Sequence, residues 1–189
     1  MSDRGMTEAI KKRHLLRFRC TSCANCCRDM HVPVTDADVR RLMEFTGRRA
    51  SELVGFYTQE HVGHLPGGKG WIKTRPGRVF MGLRQQPDGS CVHLQENRCA
   101  VYEARPVTCR VFPFNLYFDE AGRRVEELEI NQGTECLYEL DGKVSLRNLI
   151  STYHWDDRQD EEYFTKVASW NRRRRPGTAG EFLSYLGLE

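Results

Sequence analysis

The feature that most narrows the folds open to this chain is one loop, Cys20-Thr-Ser-Cys23-Ala-Asn-Cys26-Cys27, with four thiols in eight residues. The C-x2-C-x2-C spacing lets successive sulfurs turn inward toward one ion or cluster. Soft thiolate donors select zinc or iron–sulfur centres over magnesium or calcium. A second set follows at Cys91, Cys99 and Cys109, and Cys136 completes the eight. The rest of the chain reads as scaffold that unites the two sets. Hydrophobic residues make up 39% of the 189 and charged residues 29%. That apolar complement is thin for one domain, and a metal staple would compensate for it.

Cys26 and Cys27 are neighbours, and in extended backbone neighbouring side chains point to opposite faces. One ion is therefore awkwardly served by both. One of the pair is placed to reach a second centre or to bridge, and eight thiols divide into two sets of four. Spacing alone leaves the partition open. Beside Arg28, a Cys27 that was not a ligand would be a reactive thiol of lowered pKa; ligation is the expectation. Only half of a zinc-ribbon pattern is present. The three-thiol loop resembles that of ferredoxin-type clusters, which take a remote fourth cysteine and point to [4Fe-4S]. Arg19, Arg28, Arg98, Arg105 and Arg110 lie near cysteines in sequence, where they would offset the charge of a thiolate centre or form a solvated face.

The two halves together resemble the YkgJ-type CxxCxxCC cysteine-cluster family of zinc- or iron-chelating domains. The residues that carry the resemblance are Cys20, Cys23, Cys26 and Cys27, then Cys91-Val-His-Leu-x4-Cys99-Ala-Val-Tyr102, then Arg105-Pro106-x2-Cys109-Arg110-x2-Pro113-Phe114. It spans about residues 18 to 116 and implies that Cys20, Cys23, Cys26, Cys27, Cys91, Cys99 and Cys109 are metal ligands; Cys136 lies beyond it and is counted with them as the eighth ligand, with a buried structural thiol as the alternative. It also reaches the flagellin lysine N-methylases, which implies iron–sulfur more readily than zinc and opens a link to S-adenosylmethionine. No residue here can be assigned to that cofactor. In the same frame Pro106 and Pro113 stiffen the turn that presents Cys109, while Tyr102 and Phe112 pack around the site.

The expected fold is α+β: a small metal-stapled domain of helices around short antiparallel hairpins over residues 1–140, with a helical C-terminal extension over 141–189. Residues 1–19 read as a polar lead-in whose Leu15, Leu16 and Phe18 pack near the site. Thr35 and Asp38 form a capping-box pattern opening a helix that ends at Gly47. A second helix is expected from Ser51 through Tyr57, and a glycine-rich loop over 61–77. Arg78–Leu83 reads as a strand, with a turn at Pro87-Asp88-Gly89 and a partner strand over Ser90–Leu94. Asn115–Phe118 and Val125–Ile130 read as a second hairpin. Ser145–Asn171 is helical by periodicity, with a break at Asp156-Asp157, and Thr178-x2-Glu181 caps a last helix.

Other candidates are weaker. His93 is the histidine best placed to sit near a centre, with His31 behind it, while His61-x2-His64 and Gly67-Gly-Lys-Gly70 read as loop. Asp156, Asp157, Asp160, Glu161 and Glu162 read as a solvated helix face, and Arg172–Arg175 as an exposed helix end. A net charge of +3 does not argue for nucleic acid. No apolar stretch suits a signal peptide or a membrane span, so the expectation is cytoplasmic. Function is expected to be metal binding through a cysteine-ligated iron–sulfur cluster or zinc, in a structural or redox role. The alternatives are a protein-lysine N-methyltransferase-like enzyme and a metal chaperone or interaction module with a protein partner.

Overall fold

The computed structural model describes residues 11–28, 30–61, 68–131 and 135–189. The start of the lead-in, His64 and Gly67 lie outside that range. The chain is a mixed α+β fold with two apolar cores joined by one long helix.

The first core begins with helix α2 (Asp36–Thr46), which follows a short turn of helix α1 (Asn25–Arg28). Thr35 caps α2 by accepting from Asp38 N, and Asp38 returns the contact to the Thr35 amide, so two orphan donors are satisfied reciprocally. Gly47 ends the helix in the left-handed region at φ 68°. Helix α3 (Ala50–Leu53) is shorter than expected, because Val54–Tyr57 leaves it as strand β2. The β-branched Val54 and the aromatic pair Phe56 and Tyr57 suit a pleated surface better than a helix. β2 pairs antiparallel with β4 (Arg78–Leu83), which pairs on its other side with β3 (Ile72–Lys73). The expected partner strand over Ser90–Leu94 does not form. The turn at Pro87–Gly89 is held by Gln86 N to Ser90 O, and beyond it only the bridge Gln85–Cys91 is made. Leu94–Gln95 (β5) instead folds onto Arg98–Cys99 (β6), with Glu96 and Asn97 at φ 46° and 61° between them.

The second core is built on the expected hairpin, β7 (Phe114–Phe118) and β8 (Val125–Ile130), with Phe114 opposite Ile130 and Leu116 opposite Leu128. Helix α4 (Val107–Val111) packs on it, as do Leu15, Leu16 and Phe18 of the lead-in. Strand β1 (Arg19–Cys20) pairs with β9 (Tyr138–Glu139).

Helix α5 (Leu146–Asn171) unites the two. Ser145 caps it, and it runs unbroken through Asp156-Asp157, where a break was expected. No residue there lacks an amide donor, so nothing in the backbone forces an end. Its first half contributes Leu149 to the second core and its second half Tyr163, Val167 and Trp170 to the first. Trp170 Nε1 donates to Lys73 O at 2.9 Å, and Asn171 clasps β3 through both its amide atoms. Helix α6 (Ala179–Tyr185), opened by the Thr178–Glu181 capping box, closes the first core with the fully buried Phe182. Arg173 stacks on Trp170 and Tyr185, so the arginine run does end the helix, with one member packed on aromatic faces.

Candidate metal centre

The cysteine loop owes its shape to two residues in an uncommon conformation. Ser22 and Ala24, on either side of Cys23, have φ of 59° and 63°, in the left-handed region that costs L-residues about 1–2 kcal/mol each. The turns fold the loop back on itself, so that Ser22 N donates to Cys20 Sγ at 3.3 Å. Amide-to-sulfur contacts of this kind stabilise thiolate and are a lever on any bound centre.

Three tethers bring the remote cysteines to this loop. Thr21 Oγ1 donates to Leu137 O at 2.7 Å and Asn25 Nδ2 to Glu135 O at 3.1 Å, which sets Cys136 beside Cys20 and Cys23. Cys91 N donates to Cys27 O at 2.7 Å, which sets Cys91 beside Cys27. Cys109 is delivered by α4. Val107 N, an orphan donor of that helix's first turn, is accepted by the Asp38 carboxylate at 3.2 Å, and Pro106 stands at the N-cap. Gly82 permits the approach of residues 32–34 to β4, since a Cβ there would sit 2.9 Å from Val32 O.

The outcome is one chamber of about 360 Å3 lined by all eight cysteines. It lies at the junction of the cores. Val32, Leu83 and Val101 come from the first, and Phe114 and Leu149 from the second. His93 is also in the wall, 3% exposed, and its buried Nε2 has no hydrogen-bond partner among the described residues. Burial lowers its pKa to about 4, so it is neutral and able to donate a lone pair. Arg105 and Arg110 line the chamber, whereas Arg19 pairs with Glu139 and Asp141, Arg28 turns to Asn97 Oδ1, and Arg98 is exposed. Phe112 and Tyr102 edge it as expected, although Tyr102 is 63% exposed and held by Arg105 stacked 3.7 Å from its ring centre.

All eight residues are free thiols, and for five of them the chamber makes ionisation costly. Burial raises Cys91 to about 11 and Cys136 to about 12, Cys23 and Cys20 adding to the latter. Burial likewise raises Cys99, and raises Cys109 together with Cys91, Cys26 and Cys99. Cys27 is raised chiefly by its contact with the Cys26 sulfur, 3.9 Å away, which runs against the weaker alternative of a reactive low-pKa thiol beside Arg28. Neutral thiols crowded in an apolar chamber suit a soft cation, which alone would relieve the repulsion on ionisation. Among the described residues no three Cys, His, Asp or Glu side chains converge to hold a single ion as they stand.

His31 does not reach the chamber. Its ring packs on Tyr57 and His61, with centroids 4.6 and 5.1 Å away, and His61 Nδ1 meets Thr58 Oγ1 at 3.0 Å. Among the described residues no helix is long and apolar enough to cross a membrane.

Neither the curated proteins nor the solved structures contain a significant match to the chain. A family model described as "CxxCxxCC: Putative zinc- or iron-chelating domain" matches residues 19–137, well over half the chain and including every cysteine. With its cysteines gathered on one chamber in that order and spacing, the protein belongs to the CxxCxxCC family of zinc- or iron-chelating domains.

Proposed function

We propose that the chamber holds iron–sulfur centres in preference to zinc, with a structural or redox role, and that the eight thiols serve as two sets of four. The observation that carries this reading is the lining of one chamber by all eight cysteines. A multi-iron cluster meets thiols standing further apart than a lone ion can, and here no three donors converge on one point among the described residues. A cluster would supply one-electron chemistry, or simply tie the two cores together.

The tethers support the division. Thr21 and Asn25 hold the 135–137 segment against the loop, which favours Cys20, Cys23 and Cys136 as one set. The Cys27–Cys91 backbone contact favours Cys27, Cys91, Cys99 and Cys109 as the other. Cys26, whose sulfur stands 3.9 Å from that of Cys27, lies between the two sets and is assigned to the first to complete four.

Anaerobic purification, followed by an absorption spectrum and iron, sulfide and zinc analysis of one sample, tests the reading. Absorption near about 400 nm with iron and sulfide in equal amounts is the expected result. A colourless protein with stoichiometric zinc would overturn the cluster assignment.

A further inference from the structure

A second cavity, independent of the thiol chamber, lies along helix α5. It is a cleft of about 700 Å3, within the range of small-molecule sites. Tyr153, Asp156, Asp157, Asp160, Glu161 and Phe164 recur at helical spacing and turn one face of α5 into its wall. Val34, Phe80 and Met81 supply an apolar floor, and Thr108 lines both this cleft and the thiol chamber. The lining on α5 lies outside the family match.

The carboxylates fall into two groups. Asp38 is paired with Arg41, and Glu161 with Lys69 at 2.9 Å on the exposed rim. Asp156 and Asp160 are half-buried and have no hydrogen bond or ion pair among the described residues. Burial and neighbouring carboxylates raise their pKa to about 7 and 6. Deeper in the same wall, Tyr163 is 4% exposed, and its hydroxyl has no hydrogen-bond partner among the described residues. Placing a phenol and two carboxylates together without partners is costly, and a cation with N–H donors would satisfy all three.

We propose that this cleft binds a small organic cation whose ammonium group is held by Asp156 and Asp160, with the Tyr163 hydroxyl beside it. The aromatic and aliphatic floor, with Phe80, Tyr153 and Phe164, takes the hydrocarbon part of the ligand and adds cation–π attraction. A hydrated divalent ion would make no use of that floor.

Calorimetric titration of the intact, as-purified chain near pH 8 tests this, with phenethylammonium chloride as probe, 2-phenylethanol as its uncharged counterpart and manganese chloride as the competing class. Saturable binding of the ammonium alone is expected. Asp160→Asn and Asp156→Asn should each weaken it about tenfold, Tyr163→Phe a few-fold, and Glu162→Gln, exposed and outside the cleft lining, hardly at all. Because the two aspartates are unpaired, their Asn variants should melt no lower than the parent, which keeps loss of binding separate from loss of fold. No saturable binding of the ammonium, equal binding of the alcohol, binding of manganese instead, or an unchanged affinity in Asp160→Asn would each overturn the proposal.

Discussion

The thiol chamber and the acidic cleft stand back to back across α4, and each gathers groups that repel one another when ionised. They meet that problem differently. In the chamber the loop backbone bends through left-handed residues to collect donors from four separate segments, so the site exists only once the chain is folded. In the cleft the charges lie on one straight helix that forms regardless of them, and the cost is left in two raised carboxyl pKa values. The comparison teaches that gathering the polar groups themselves from distant segments couples a ligand to the fold, whereas carrying them on one helix leaves only the floor of the site to long-range packing.

The largest effect should come from stripping metal. If the chamber ties the two cores, chelation will abolish the cooperative melting transition, since structural thiolate sites contribute on the order of 10 kcal/mol. An apoprotein with its native circular dichroism and full transition would break the coupling. Asp160→Asn should leave metal content untouched, and a loss there would erase the distinction between the cavities.

Single cysteine changes should sharpen it next. Cys136→Ser is expected to remove about half of the bound metal and Cys99→Ser the other half, if two four-thiol sets exist. Loss of all metal from either variant would point to one shared centre.

Packing changes come third. Leu128→Ala in the second core and Leu42→Ala in the first bury the same chemistry in different halves and should each cost about 2–5 kcal/mol. Because α5 belongs to both cores, each variant should still melt in one transition by calorimetry. Two resolved transitions would mean that the cores are independent.

The smallest effect is that of pH. Asp156 and Asp160 hold their protons to higher pH in the folded chain than in the unfolded one. The folded state therefore binds more protons between about pH 4 and 7, and these groups make stability fall as pH rises through that interval. Facing them are Asp38 and Arg41 from α2, Lys69, and Tyr153, Asp157, Glu161 and Tyr163 from α5 itself. Asp156→Asn should raise the melting temperature at pH 8 by roughly 2–4 °C and change little near pH 4, as followed by circular dichroism. Equal shifts at both values would remove the electrostatic explanation.

Much of this was legible before any coordinates. The capping boxes at Thr35 and Thr178 and the β7–β8 hairpin are local features whose partners lie within a few residues, so the sequence contains both sides of each interaction. Val54–Tyr57 was misread as helix because its strand pairing depends on β4, more than twenty residues on. Ser90–Leu94 was misread for the converse reason, as the neighbours of β4 are β2 and β3. His93 could be placed near the thiols by its distance of two residues from Cys91, and the chamber includes it.

The acidic stretch shows where sequence reading ends. Its periodicity placed Asp156 and Asp160 on one helix face, but whether that face meets water or protein depends on β4 and the segment at residues 33–35 across from it. Burial is a property of what lies opposite, which no local pattern encodes. The sequence by itself determined the thiols, their soft chemistry and the family, because these depend on residue type and spacing alone. Only the tertiary structure decided that Cys136 joins the 20–27 loop, that all eight thiols share one chamber between two cores, and that two aspartates have no partner among the described residues. Those are outcomes of long-range packing, in which segments more than a hundred residues apart become neighbours.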